Sequence, residues 1–218
     1  MPKVKIPRKS TNIDMTAMCD VAFLLLSFFI LATKTKPPEV LAVNPPTSVS
    51  SKAAPDNAIL ITMTKNGKVF LMLGDGTRKA EILENVNRDN DLQLTSVEMA
   101  KWKKAQFYGL PLSKVKSYIS SGENIPATSM EGIPVADTAH NELVAWIKGV
   151  VTAYAGTDQR KLQEMLLVKG DNEALYPIFK SVKQAFKKNE IFKFRIVTNN
   201  EPVPVGSELF LTGHNSKK

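Results

Sequence analysis

Apolar positions are spread unevenly along the chain. From Met15 to Thr33 the sequence reads MTAMCDVAFLLLSFFILAT, 19 residues, close to the roughly 20 that carry a helix across a bilayer core. Its uninterrupted apolar part, Val21 to Ala32, is 12 residues, which is also signal-peptide length. Farther on, AILITMT and KVFLMLG flank Asn66-Gly67. That pattern predicts a β-hairpin closed by a type I′ turn, since Asn-Gly readily supplies two positive φ values. In NELVAWIKGVVTAYA, Leu143, Trp146, Ile147, Val150 and Tyr154 fall on one helical face, and their simplest role is core packing. EMLLVKG reads as a buried strand and FKFRIVT as another. Between them Leu175, Ile178, Phe179, Val182 and Phe186 mark an amphipathic helix with Pro177 in its first turn. A hairpin beside a strand–helix–strand unit predicts a small α+β domain with helices on one face of a sheet.

Residues 79–140 carry a weaker pattern. Helical pieces are expected within 96–120, interrupted near Gly109-Leu110-Pro111, and GDGT at 74–77 reads as a turn. The organisation expected is a basic N-terminus (1–11), a transmembrane helix (12–34), a Pro-rich linker (35–57), an α+β domain (58–200) and a tail (201–218). Residues 79–160 form an atypical insertion in that domain. The linker holds five prolines and favours an extended, semi-rigid spacer, although its middle, EVLAVN, could pair with a sheet edge.

Charge fixes an orientation for the apolar run. Lys3, Lys5, Arg8 and Lys9 precede it, whereas Lys34 and Lys36 alone follow closely. The positive-inside rule then puts the N-terminus in the cytoplasm and the large remainder outside, which in a bacterium is the periplasm. A cleaved signal is the competing reading. ILATKTKPP offers no convincing cleavage site, and an acid would be an odd addition to a discarded segment. The net charge of +8 does not indicate nucleic acid, because the lysines are thinly spread, without an arginine cluster or interleaved aromatics. Cys19 is the single cysteine, so no disulfide framework forms within one chain. His140 and His214 are isolated, which gives no metal site, and the phosphate-binding, dinucleotide and nucleophile-elbow motifs are missing. No enzyme activity and no cofactor are expected.

The acid inside the apolar run, Asp20, is the candidate functional residue. A carboxylate near the middle of a membrane helix costs roughly 2.5–3.5 kcal/mol. With a helix start at Asn12, Asp20 lies about 12 Å along the axis, too deep for a short side chain to reach water. Asp14 fits a solvated first-turn acid. No Lys or Arg occurs in residues 10–33, so Asp20 either stays neutral or meets polar groups or water supplied by another subunit. Thr16, Asp20 and Ser27 share a helical face with Phe23, Leu24 and Leu31, making a thin polar stripe. One reading makes Asp20 a helix–helix hydrogen bond. The other makes it a proton-carrying site, because one charge crossing the field is worth about 2.3 kcal/mol per 100 mV, the scale of its burial cost.

DMTAMCDVAFLLLSFFIL, preceded by basic residues, resembles the transmembrane signature of the ExbD/TolR biopolymer-transport family, an Asn-x-Thr-Pro-x-x-Asp core opening a single apolar helix. Thr16 and Asp20 fall on the family's threonine and essential aspartate, while Asp14 replaces the usual Asn and Ala17 the usual Pro. VNPP is similar to the family's extended Leu-Pro segment. LLVKGDNEALYPIFKSVKQAFKKNEIFKFRIVT is similar to its strand, turn, helix and strand, with Asp171 and Tyr176 at matching places. The resemblance covers residues 3–73 and 163–198. It implies an inner-membrane subunit whose helix, in two copies, sits in a pentameric ring of an ExbB/TolQ-like multi-pass protein. Asp20 would take protons from the periplasm and release them to the cytoplasm. A dimeric outer domain would pass the motion to a TonB- or TolA-like protein. ExbD-type uptake and TolR-type envelope maintenance would use the same helix, and a membrane-tethered binding module without proton role is the alternative from a different class.

Overall fold

The computed structural model describes residues 15–32, 41–49, 52–55, 57–74, 76–122, 126–135, 140–156 and 159–207. The basic N-terminus, Asp14, the linker residues 33–40, His214 and most of the expected tail lie outside them. The chain divides into two compact units, Met1–Glu39 and Val40–Lys218. In the first, α1 (Met15–Ala32) is an 18-residue helix none of whose side chains is buried. It holds neither Gly nor Pro, so nothing in its interior breaks the helical hydrogen-bond ladder.

The second unit is α+β. Strands β2 (Ile59–Met63) and β3 (Val69–Leu73) pair antiparallel with Ile61 opposite Leu71. The expected hairpin forms, but with a different turn. Gly67 has φ 77° while Asn66 keeps negative φ, and the Gly67 N–H donates to the Thr64 carbonyl at 3.0 Å. The Thr64 N–H donates to the Lys68 carbonyl, also at 3.0 Å, so three residues rather than two close the loop. One positive φ suffices in such a turn-plus-bulge connection, and glycine takes it. Around this hairpin the five-stranded sheet runs β4-β3-β2-β5-β6. Strand β4 (Phe107–Tyr108) is antiparallel to β3, and β5 (Leu166–Gly170) and β6 (Arg195–Ile196) continue parallel from β2. Both predicted C-terminal strands are shorter than expected. Glu164 and Met165 belong to helix α6 (Gln159–Met165), and of FKFRIVT only Arg195 and Ile196 pair. Phe194 instead turns in to stack on Phe186 at 4.9 Å between centroids.

The period of two divides the sheet faces. Ile59, Ile61, Met63, Val69, Leu71, Leu73, Leu166 and Val168 face one continuous core with the helices. Helix α5 (Leu143–Ala153) buries Leu143, Trp146, Ile147 and Val150, as its spacing predicts. Helix α7 (Tyr176–Lys188) buries Val182, Ala185 and Phe186, while Leu175 precedes it as an exposed N-cap. Two asparagines join these helices. Asn141 donates to the Ser181 carbonyl at 2.9 Å and accepts the Leu143 N–H, and Asn189 donates to the Val144 carbonyl at 3.1 Å. Residues 79–160 pack into this same core. Helix α2 (Thr77–Asp89) contributes Ile82, Leu83 and Val86; α3 (Ser96–Lys104) and α4 (Leu112–Ser121) contribute Met99, Trp102, Val115 and Ile119. The GDGT turn leads straight into α2, with Gly76 as its N-cap.

The opposite sheet face is covered differently. Leu41 and Val43, within the expected spacer, are buried with Phe70 and Met130. The pairing there is made a few residues later than EVLAVN, where β1 (Thr47–Ser48) lies parallel to β7 (Asn199–Asn200). Residues 41–49 therefore form a strap on the folded unit. Alternation of Leu41 and Val43 supplies the burial that a free spacer would forgo.

Phe70 explains the break near Gly109. A Cβ at Gly109 would sit 2.2 Å from Phe70 Cδ1, and the Phe70 ring is 1% exposed with no room to retreat. Gly109→Ala is expected to cost about 1–3 kcal/mol in urea unfolding. Adding Phe70→Leu should recover part of that loss as a non-additive term.

Candidate functional site

Helical geometry puts Thr16, Asp20, Phe23, Leu24, Ser27 and Leu31 of α1 on one face, since side chains three and four apart stand above one another. Asp20 is the sixth residue of the described helix, about 7.5 Å from its first Cα along the axis. Its carboxylate is exposed and makes no hydrogen bond or ion pair with the described residues. Ser27 is half-buried, the other two polar groups are exposed, and Cys19 beside Asp20 is a free, exposed thiol. The face carries one carboxylate, Asp20, flanked one turn earlier by the Thr16 hydroxyl.

Asp171 is placed in the opposite condition. It follows β5 in the turn before α7, and its own N–H donates to the Met63 carbonyl. Its Oδ1 accepts the Glu173 N–H at 2.9 Å and its Oδ2 accepts the Asn44 N–H at 3.1 Å. Asn172 returns the contact, its N–H donating to the Asn44 carbonyl at 2.9 Å. Asp171 therefore clasps the strap to the β5–α7 turn. The resemblance marked Asp171 by residue and Asn44 only within VNPP; the clasp reaches Asn44 through its backbone. Tyr176, at the start of α7, is not drawn into this clasp. Its ring is 68% exposed and stands 6.4 Å from Phe179, and its phenol makes no hydrogen bond with the described residues.

Two acids near His140 have structural partners. His140 lines a shallow cleft of about 420 Å³ with Asp89, Glu142 and Lys148. Asp89 is paired with Lys148 at 3.0 Å, and Glu142 accepts the Leu112 N–H at 2.7 Å. Lys148, by hydrogen bonding ahead of its charge, holds the Asp89 carboxyl below the usual carboxylate range. Among the described residues no three His, Cys, Asp or Glu side chains converge as a metal cluster would require.

The backbone N–H groups of Glu173 and then Asn44 hold the Asp171 carboxyl below its ordinary pKa, with a smaller contribution from the charge of Lys65. A depressed folded-state pKa contributes stability that is fully present above the unfolded value, about 3.9. That stability is lost as the pH falls through the depressed value. Asp171→Asn keeps the shape but loses one acceptor and the charge. It is expected to lower stability by about 1 kcal/mol at neutral pH, to speed hydrogen exchange at Asn44 and Asn172, and to converge with the native protein in strong acid.

Comparison with curated proteins and with solved structures found no match. Comparison with family models matches residues 7–201 to the family described as "Biopolymer transport protein ExbD/TolR", spanning the apolar helix, the strap and the α+β unit through β7. That match covers nearly the whole chain, and α1 supplies one helix long and apolar enough to cross a membrane. The chain belongs to the ExbD/TolR family, as a biopolymer-transport subunit of the energy-transducing kind.

Proposed function

We propose that the chain is the proton-carrying, single-pass subunit of an inner-membrane motor, with Asp20 as the group that takes and releases the proton. The observation that carries this reading is an isolated carboxylate on a helix whose every large apolar side chain faces outward. Inserted alone, that helix would leave the carboxylate in hydrocarbon. Inside a ring of polar-faced helices the carboxylate finds partners, and the membrane field can drive its proton. Thr16 and Ser27 extend the polar face along which a proton or water would be held.

The remaining roles follow from the family and the flanking charge. The basic residues before α1 support an N-terminus in the cytoplasm and an α+β unit in the periplasm. The ring is an ExbB/TolQ-like pentamer around a homodimer of this chain. The outer unit acts on a TonB- or TolA-like coupling protein, without enzymatic chemistry. The strap clasped by Asp171 joins the membrane helix to the outer unit along the chain.

Asp20→Asn is isosteric and uncharged, so the subunit should still insert and co-purify with its ring. Energised transport should drop to the level of cells lacking the subunit. Normal energised transport by Asp20→Asn would end the proton reading and leave the helix as a tether. A polyleucine helix behind the same basic flank separates the two outcomes, since a tether alone would tolerate it. The coupling protein recovered with the complex, TonB-like or TolA-like, decides between nutrient uptake and envelope maintenance.

A further inference from the structure

We propose that the solvent face of α7, together with residues 191–194 beside it, docks on an anionic phospholipid surface. Tyr176, Lys180, Lys183 and Lys187 recur at helical spacing on one side of α7, away from the buried Val182, Ala185 and Phe186. With Ile191, Phe192 and Phe194 they line a groove of about 320 Å³. Its floor is fixed, because Ile191 is buried and Phe194 stacks on Phe186. Its rim is aromatic and open, with Tyr176 and Phe192 exposed at 68% and 73%. The α7 sequence contains no acid, and Lys180, Lys183 and Lys187 have no ion pair or hydrogen bond with the described residues. Glu173 and Glu190 lie outside the groove lining, before and after the helix.

Unpaired lysines between exposed aromatic rings match the chemistry of a bilayer interface. Rings settle at headgroup level, and ammonium groups on long stems reach lipid phosphates. The chain also carries its own membrane-length helix, which keeps such a surface at high local concentration and lets a weak contact form. Each lysine near an anionic leaflet contributes roughly a fivefold gain, so three together exceed about a hundredfold. Docking rests on the reading of the chain as membrane-anchored, but it needs neither the proton role of Asp20 nor a particular coupling protein. It would hold the outer unit in a defined orientation beside the bilayer, and salt would loosen that hold.

The test uses the full chain in nanodiscs, in a Cys19→Ser background, with Phe192→Cys carrying an environment-sensitive nitrobenzoxadiazole dye. In phosphatidylglycerol-containing discs the emission should shift to the blue and be quenched by headgroup spin-labelled lipid. Pure phosphatidylcholine discs, high salt, or the combined Lys180→Gln, Lys183→Gln and Lys187→Gln variant should remove both signals. Asp20→Asn should leave them unchanged, which separates failure of docking from failure of the proton reading. Equal emission in both lipids, or a blue shift that survives the lysine replacements, overturns the proposal. A shift produced by added polyglutamate and not by anionic lipid also overturns it, and assigns the groove to an acidic protein segment.

Discussion

One carboxylate on a helix with no buried side chain is the constraint from which the rest follows. Eleven large apolar side chains of α1 stand exposed, and each contributes about 1.5–3 kcal/mol when removed from water. Asp20 opposes insertion by only about 2.5–3.5 kcal/mol. The apolar residues therefore win several times over, and the helix enters a bilayer carrying its acid with it. Lipid satisfies most of the surface and fails one strip of it. Those two needs are not met by the same surroundings, and the proposed partner would lie along the Thr16–Asp20–Ser27 face.

The α+β unit is fixed where the chain enters it. Residues 41–49 are fixed at several points of distinct chemistry. Leu41 and Val43 are buried, the Asn44 backbone is held by Asp171 and Asn172, and β1 is paired with β7. A load on the strap would meet the burial of Leu41 and Val43 over Phe70 and then the clasp at the β5–α7 turn. From there Asn141 and Asn189 couple α7 to α5, and the shared core couples both to the sheet. A free proline-rich spacer would dissipate such load in chain entropy before it reached a folded element.

Much of this was legible before the fold was known, where local pattern and burial agree. The hairpin, α5 and α7 show clear periods because each buries a single stripe or alternating face. Helix α2 escaped notice because TRKAEILENVNRD offers only Ile82, Leu83 and Val86 as a buried apolar stripe, behind a glycine turn. The strap was read mainly as a spacer because its prolines are visible in sequence, whereas the pocket over Phe70 that receives Leu41 and Val43 is assembled from distant residues. The turn type missed for a similar reason. Asn-Gly is compatible with more than one loop, and the pairing of Thr64 with Lys68 chooses the longer one. In α1 the acid and its face are plain in the sequence, since a helix with no buried side chain adds little that its spacing does not already contain.

The two aspartates singled out by the family resemblance separate on physical grounds. Asp171 accepts two backbone N–H groups, and these stabilise its charged form. A carboxylate so held gives up its charge only in acid, and its protonation would loosen the strap rather than pass a proton onward. It is built to stay fixed. Asp20 has no partner among the described residues and sits where its charged and neutral forms call for different surroundings. A proton-carrying group must have both forms within reach, so that a change of environment moves it between them. Of the two acids only Asp20 is left without a fixed partner among the described residues, and the proposed proton role rests on it alone.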